Sequence, residues 1–171
     1  SLDGTSILYS SHDVSLSESE GKDRAWIHRV GLNGQPIESI EISGMSHDFV
    51  ELPDGALAYI AADWREIDGR MVRGNQVMER ALDGTTRVVF SAWDHFDFDN
   101  SQVESATGWT HANALDYLAE HDAYLFGIRN LGSVVWIDRS TGAVKWTFGG
   151  GESDFDWLGD GLLPRKQHQF D

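Results

Sequence analysis

Short runs in which apolar and polar residues alternate recur along this chain, and turn-forming residues separate them. Ala25 to Val30 leads through Leu32-Asn33-Gly34-Gln35 into Ile37 to Ile42, and Phe49 to Leu52 leads through Pro53-Asp54-Gly55 into Ala56 to Ala61. Gln76 to Ala81 is followed by Leu82-Asp83-Gly84 and then Thr85 to Ala92. A period of two is that of a strand with one face turned to a core, and Asn-Gly or Asp-Gly between two such runs closes an antiparallel hairpin. The second half repeats the theme more densely. Ala114 to Tyr117, Tyr124 to Ile128, Val134 to Asp138 and Val144 to Phe148 predict four more strands, with His121-Asp122 and Ser140-Thr141-Gly142 as turns. Aromatic and β-branched side chains suit the pleated surface, while the turn residues supply local hydrogen bonds and left-handed backbone angles. No segment carries a sustained helical period.

The turn glycines Gly34, Gly84 and Gly142 stand 50 and 58 residues apart, somewhat more than a minimal four-stranded propeller blade requires. The expected fold is therefore all-β: residues 1–171 form one partial β-propeller domain of approximately two to three blades. So few blades leave open edges and bare blade faces, which implies a fragment, a processed chain, or one member of a propeller completed by a companion polypeptide. A compact β-sandwich is the competing architecture.

Charge and composition narrow the partners. With 28 acidic against 13 basic residues the formal charge is -15, so the long-range field repels bare nucleic acid and anionic membrane surfaces. A content of 40% hydrophobic residues in 171 is enough to build a core. Cysteine is absent, which removes thiol catalysis, cysteine ligation and disulfides from this chain without fixing its compartment. No apolar run reaches the roughly 20 residues of a membrane span, and no basic segment followed by an apolar run marks a signal peptide.

Three histidines stand out against this background. His47, His111 and His168 are 64 and 57 positions apart, each near the start of a strand-like segment, and the second is followed by Asn113 and Arg129. One imidazole per sheet unit, converging on a shared centre, is how a repeated β scaffold assembles a polar site.

The residues around them carry a family resemblance. Trp109-Thr110-His111-Ala112-Asn113-Ala114-Leu115, Gly127-Ile128-Arg129-Asn130, Val135-Trp136-Ile137-Asp138-Arg139-Ser140-Thr141-Gly142 and Val144-Lys145-Trp146 resemble the central blades of the arylsulfate sulfotransferase-like family. Gln167-His168 is similar to its next active-site segment, and Ser46-His47-Asp48 with Leu52-Pro53-Asp54-Gly55 to an earlier one. The resemblance runs from about Met45 to the C-terminus. It implies a six-bladed propeller with an axial pocket, usually exported to the periplasm or secreted, that moves a sulfuryl group from an aromatic sulfate ester to a phenol. It further implies that His168 accepts the group while His47, His111, Asn113 and Arg129 bind or polarise ester and acceptor. Trp93 and Trp109 are candidates for an aromatic acceptor wall.

Two other reactivity classes fit the same residues: elimination or hydrolysis on an acidic carbohydrate held by Arg129, and a non-enzymatic propeller that binds glycan or protein. Bland roles compete at each position, an exposed terminal residue for His168, blade hydrogen bonding for His111 and Arg129, a turn cap for Asn113, and an inter-blade tie to Asp48 for His47. His12 repeats the Ser-His-Asp triplet, but its spacing favours local turn bonding; structural or solvated roles are expected for His28, His95 and His121. Core packing is the expectation for Trp136 and Trp146. Asp94, His95, Asp97, Asp99 and Asn100, and separately Asp154, Asp156 and Asp160, make oxygen-rich loops of the kind calcium favours, without ordered ligand spacing. A solvated acidic loop is the simpler expectation, and no metal ligand is assigned. Gly149-Gly150-Gly151 lacks the basic residue of a phosphate-binding loop.

Overall fold

The structure, a computed structural model, describes residues 1–13, 24–103, 108–158, 166 and 168. Among them the chain is all-β, with three separate antiparallel sheets, none closed into a barrel. The first contains β1 (Ser6–His12), β2 (Arg24–Gly31) and β3 (Pro36–Ser43). The second contains β4 (Met45–Glu51), β5 (Leu57–Ile67), β6 (Arg70–Arg80) and β7 (Thr86–Ser91), and the third β8 (Ala112–Leu118), β9 (Ala123–Ile128), β10 (Ser133–Asp138) and β11 (Val144–Gly149). In each sheet, sequence neighbours are hydrogen-bonded neighbours.

The turns show why the hairpins form where they do. Asn33, Asp54 and Asp83 each accept the backbone N–H two residues ahead through Oδ1, at 3.1, 3.1 and 2.9 Å. The next residue in each case is a glycine at φ 79°, 81° or 89°, a conformation that costs a residue with a Cβ about 1 kcal/mol or more. Local side-chain chemistry and backbone freedom thus cooperate in the same two positions of all three turns.

Alternation along β5 places a core on each side of the second sheet. Ala58 and Ile60 face the third sheet, where they meet Tyr124, Phe126, Ile128, Val135 and Ile137. Leu57, Tyr59 and Ala61, with Met45 of β4, face the first, where they meet Ala25, Ile27 and Ile42. The three sheets are therefore stacked, which sets them apart from a two-sheet sandwich. A carboxylate ties the second sheet to the third at the edge of this packing: Glu79 of β6 accepts Tyr124 Oη at 2.7 Å, Arg139 Nε at 2.9 Å and Arg87 Nε at 3.1 Å.

Two elements depart from the sequence expectation. β1 has no apolar-polar alternation, because Ile7 and Tyr9 lie on the uncovered face of the first sheet, 56% and 47% exposed. The ladder of β5 and β6 runs on past Ala61 to Ile67 opposite Arg70. It continues as a two-stranded arm where neither β4 nor β7 pairs with it; Val72, 3% exposed, and Ile67 still join the core, but the residues around them are mostly charged or polar, and the period that marks a half-buried strand fades. Asp68-Gly69 at its tip, both at positive φ, is the hairpin signal that remains. Trp136 and Trp146 pair on the face of the third sheet that points away from the second. A register irregularity between Trp136 and Ile137 lets Val144 join the core while Trp146 turns outward, packing edge-on against Phe155.

Candidate functional site

The innermost strands of the second and third sheets, β4 and β8, contact each other, and both are irregular near their N-terminal ends. Pairing of β4 breaks between Met45 and Phe49, and pairing of β8 between Ala112 and Ala114. His47 sits inside the first break at φ 60° and His111 just before the second at φ 44°. Left-handed backbone in a residue with a large side chain persists only when its surroundings over-determine it, and such positions concentrate at functional sites. Here the two irregularities bring the imidazoles together, stacked with centroids 5.0 Å apart and planes at 27°.

His168 completes the group from the far end of the sequence. Its ring meets His111 edge-on at 6.2 Å. Arg129, just beyond β9, donates from Nε to His168 Nε2 at 3.2 Å and lies with Nη1 3.5 Å from His111 Nδ1. The same Nη1 donates to Asn130 Oδ1 at 2.9 Å, and Asn130 Nδ2 donates to the Gly108 carbonyl at 3.1 Å. A guanidinium bridging two imidazoles, steadied by a neighbouring amide, is a cationic centre inside an acidic molecule.

Two side chains that sequence reasoning passed over, or read differently, hold this centre. Asn75 of β6 is 2% exposed; its Oδ1 accepts Thr110 Oγ1 at 2.8 Å and Ala112 N–H at 2.9 Å, and its Nδ2 donates to Ser46 Oγ and to the Ala61 carbonyl, both at 3.4 Å. Asp48 accepts the N–H of Phe49 at 2.9 Å and that of Leu115, on the next sheet, at 3.0 Å. In sequence, Asn75 lies in a polar stretch of strand with nothing to mark it. Its hydroxyl partners, Ser46 and Thr110, each immediately precede a site histidine, and that shared pattern is the one signal that points to a common anchor.

The surroundings decide protonation. Crowding by the protein, then the positive charges of His111, Arg73, His12 and His168, push the His47 imidazole from 6.5 down to about 4, although the ring keeps an opening to solvent. His47 is therefore neutral near pH 7, able both to donate and to accept a hydrogen bond. Burial pushes the Asp48 carboxyl up, against the two N–H bonds it accepts.

The remaining candidates fall in three places. Asn113 is buried within the irregular start of β8. Trp109 is 0% exposed and packs against Trp93 at 4.5 Å and Phe98 at 5.5 Å, so it belongs to the core beneath the site and offers no face to an acceptor. Trp93 is half-buried, donating Nε1 to the Asp63 carbonyl at 2.9 Å with Arg65 over its ring. His12, read from sequence as a turn residue, closes β1 and contributes to the field at His47. His28 bonds Ser11 and Ser39 and stacks on Tyr9, while His95 stacks on Phe90. Gln167 and Asp160 lie outside the described residues.

Among the described residues no group of three or more His, Cys, Asp or Glu is arranged to hold a metal. In the acidic loop, Asp94 pairs with Arg65 at 2.8 Å, and Asp99 caps a single 3₁₀ turn through Ser101 N–H. Asp154 of the second group accepts Thr147 N–H at 2.7 Å. Two concavities, of about 50 and 380 Å³, lie away from the histidines, the larger lined by Leu2, Phe49, Val50, Asp116 and Tyr117. No helix among the described residues is long and apolar enough to cross a membrane.

Fold and site together define a class: stacked antiparallel sheets whose irregular strand ends stack His47 on His111, with the Arg129 guanidinium between His111 and His168. The model of the family described as Arylsulfotransferase (ASST) matches residues 11–163. The chain belongs to the arylsulfotransferase family, which supports a sulfotransferase-like role in general. No curated protein matches it. Among solved structures, a chain of Kuenenia stuttgartiensis hydrazine synthase is similar at a TM-score of 0.51 and 14% identity, a likeness that concerns the fold alone. The match covers 81% of this chain and 38% of that one.

Proposed function

We propose that this chain supplies the catalytic centre of a sulfuryl-transfer enzyme acting between an aromatic sulfate ester and a phenol. The observation that carries the reading is the Arg129 guanidinium held between His168 and His111, at 3.2 and 3.5 Å. The Nε–H of Arg129 points at His168 Nε2, so that nitrogen presents a lone pair, which is what a nucleophile requires. When an ester enters, the guanidinium exchanges this contact for sulfuryl oxygens, which its paired donors suit, and frees the lone pair to attack sulfur.

In the first half-reaction the nitrogen–sulfur bond forms as the sulfur–oxygen bond to the aryl group breaks. The electron pair leaves on the phenolic oxygen, which takes a proton from His111. In the second half, an acceptor phenol passes its proton to His111 and its oxygen attacks sulfur, and the nitrogen–sulfur bond returns its electrons to His168. Neutral His47, stacked on His111, offers the substrate a hydrogen bond without adding another positive charge to the site. Splitting the transfer into two displacements is the gain from covalent catalysis, and the fixed guanidinium favours the step to the extent that it holds developing charge better than the bound ester.

The scaffold reading follows the same line. The second sheet buries both faces against neighbours, while the first leaves Ile7, Tyr9 and Ile37 exposed, at 56%, 47% and 61%. A further sheet on that face, from a companion polypeptide or a longer chain, would repeat the packing already present and continue a propeller toward six blades. Export to the periplasm or outside the cell is part of the same proposal.

The test is intact-mass spectrometry after exposure to 4-nitrophenyl sulfate with no acceptor. We expect a gain of one SO₃, mapped to His168, that disappears on adding phenol and is absent in His168→Asn. Steady phenol-sulfate formation by His168→Asn at the parent's rate would overturn the covalent route.

A further inference from the structure

We infer that Asn75 is a positioning residue that sets His47 and His111 in mutual register across the second and third sheets. Its primary amide offers two donors and two acceptor sites, and all four are engaged: Ser46 Oγ and the Ala61 carbonyl take the donors, Thr110 Oγ1 and the Ala112 N–H fill the acceptors. Backbone partners fix which way the amide faces. The Ala112 N–H can only donate and the Ala61 carbonyl can only accept, so oxygen lies toward the third sheet and nitrogen toward β5 and β4. Aspartate, of the same shape, would set an oxygen against the Ala61 carbonyl; leucine would leave the Ala112 N–H and the Ala61 carbonyl without this partner in a buried place.

The contacts bracket the two histidines. Ser46 precedes His47, and Thr110 and Ala112 flank His111. Both histidines have left-handed backbone, at φ 60° and 44°, so neither loop would hold its conformation unaided. Arg73 on the same strand accepts the Trp109 N–H through its carbonyl at 2.8 Å, which seats the His111 loop on β6 two residues from Asn75. A single strand thus grips both loops, and the 5.0 Å stack of the two rings is the geometry it enforces. Asn75 reaches no reacting atom in the proposed transfer; it acts through the two imidazoles.

The kinetic consequence rests on the sulfuryl-transfer reading, whereas the geometric claim does not, and titration separates them. In the intact protein, imidazole NMR follows the His47 midpoint with and without His111→Gln. With Asn75 present, His111→Gln raises the His47 midpoint, because a positive neighbour is removed. In the Asn75→Leu background, and in the milder Thr110→Val, the same His111→Gln change should move the midpoint by less than half as much, since the rings have separated. An undiminished shift in Thr110→Val and Asn75→Leu overturns the proposal, and Thr110→Val alone decides it if Asn75→Leu does not fold. If the coupling is lost as expected while no variant or parent transfers sulfuryl groups, the positioning role stands and the proposed reaction falls. If transfer occurs, Asn75→Leu should lower kcat about 10- to 100-fold with KM nearly unchanged.

Discussion

His47 illustrates how much a single residue's surroundings can reverse its sequence reading. The sequence offers, beside a substrate-binding role, a tie from His47 to Asp48, but Asp48 spends its oxygens on Phe49 and Leu115 N–H groups. The imidazole instead faces positive charge, and its pKa of about 4 against an ordinary 6.5 has a consequence for stability. Above pH 6.5 the ring is neutral whether the chain is folded or not. Between 6.5 and about 4 the unfolded chain takes up a proton that the folded chain refuses, so stability falls as pH falls through that window and levels off below it. Urea unfolding at pH 7, 6, 5 and 4 should show this decline, and His47→Gln should flatten part of it; an identical slope in parent and variant would count against a depressed His47. The meeting of His47, His111, Arg129 and His168 could be suspected from ordered motifs, because each carries a chemically distinctive side chain. Asn75 could not, since an amide in a strand has no signature until its partners are known.

At the scale of elements, hairpins with Asn-Gly or Asp-Gly turns were readable because the turn residues and the alternation agree. The Ser6–His12 strand and the arm beyond Ala61 were not, because the first has an uncovered face and the second buries only scattered apolar side chains such as Val72, so neither records a regular period. Contacts between elements were equally hidden. Glu79 reads as one acidic residue among many, yet it joins β6 to β7, to β9 and to the turn after β10. Burial opposes its charge, but the bonds from Arg139 and Tyr124 and the nearby Arg139 and Arg87 charges outweigh it and hold the carboxyl below its usual range. Its contribution is therefore present above the ordinary glutamate pKa and lost as pH falls through the lower folded value. Glu79→Gln should cost about 2 kcal/mol at pH 7, because the largely buried Arg139 loses its nearest countercharge and keeps only the longer contacts to Asp122 and Asp54, at 3.3 and 3.5 Å. The urea midpoint measures this, and a loss below about 0.5 kcal/mol would reduce Glu79 to an ordinary surface pair.

For the molecule as a whole, the stacking of sheets was legible only as a repeat length, and the spacing of turn glycines fixed neither how many sheets form nor which faces meet. Those facts follow from the two cores that β5 separates. The bare outer face of the first sheet leads to an expectation about association. At rising concentration the 171-residue chain should self-associate through Ile7, Tyr9 and Ile37, and Ile7→Lys with Ile37→Lys should return it to monomer in sedimentation velocity. Unchanged association in the double variant would place the contact elsewhere. The layered build also bears on chemistry at a distance. His47 and His111 belong to different sheets, so their separation is a dimension of the hydrophobic layer between those sheets, much as the gap of a caliper is fixed by the spacer set behind its jaws. Ala58, Ile60, Phe126 and Ile128 make up that spacer, and a methylene added or removed there, far from any polar group, would be read out as a changed distance between two imidazoles.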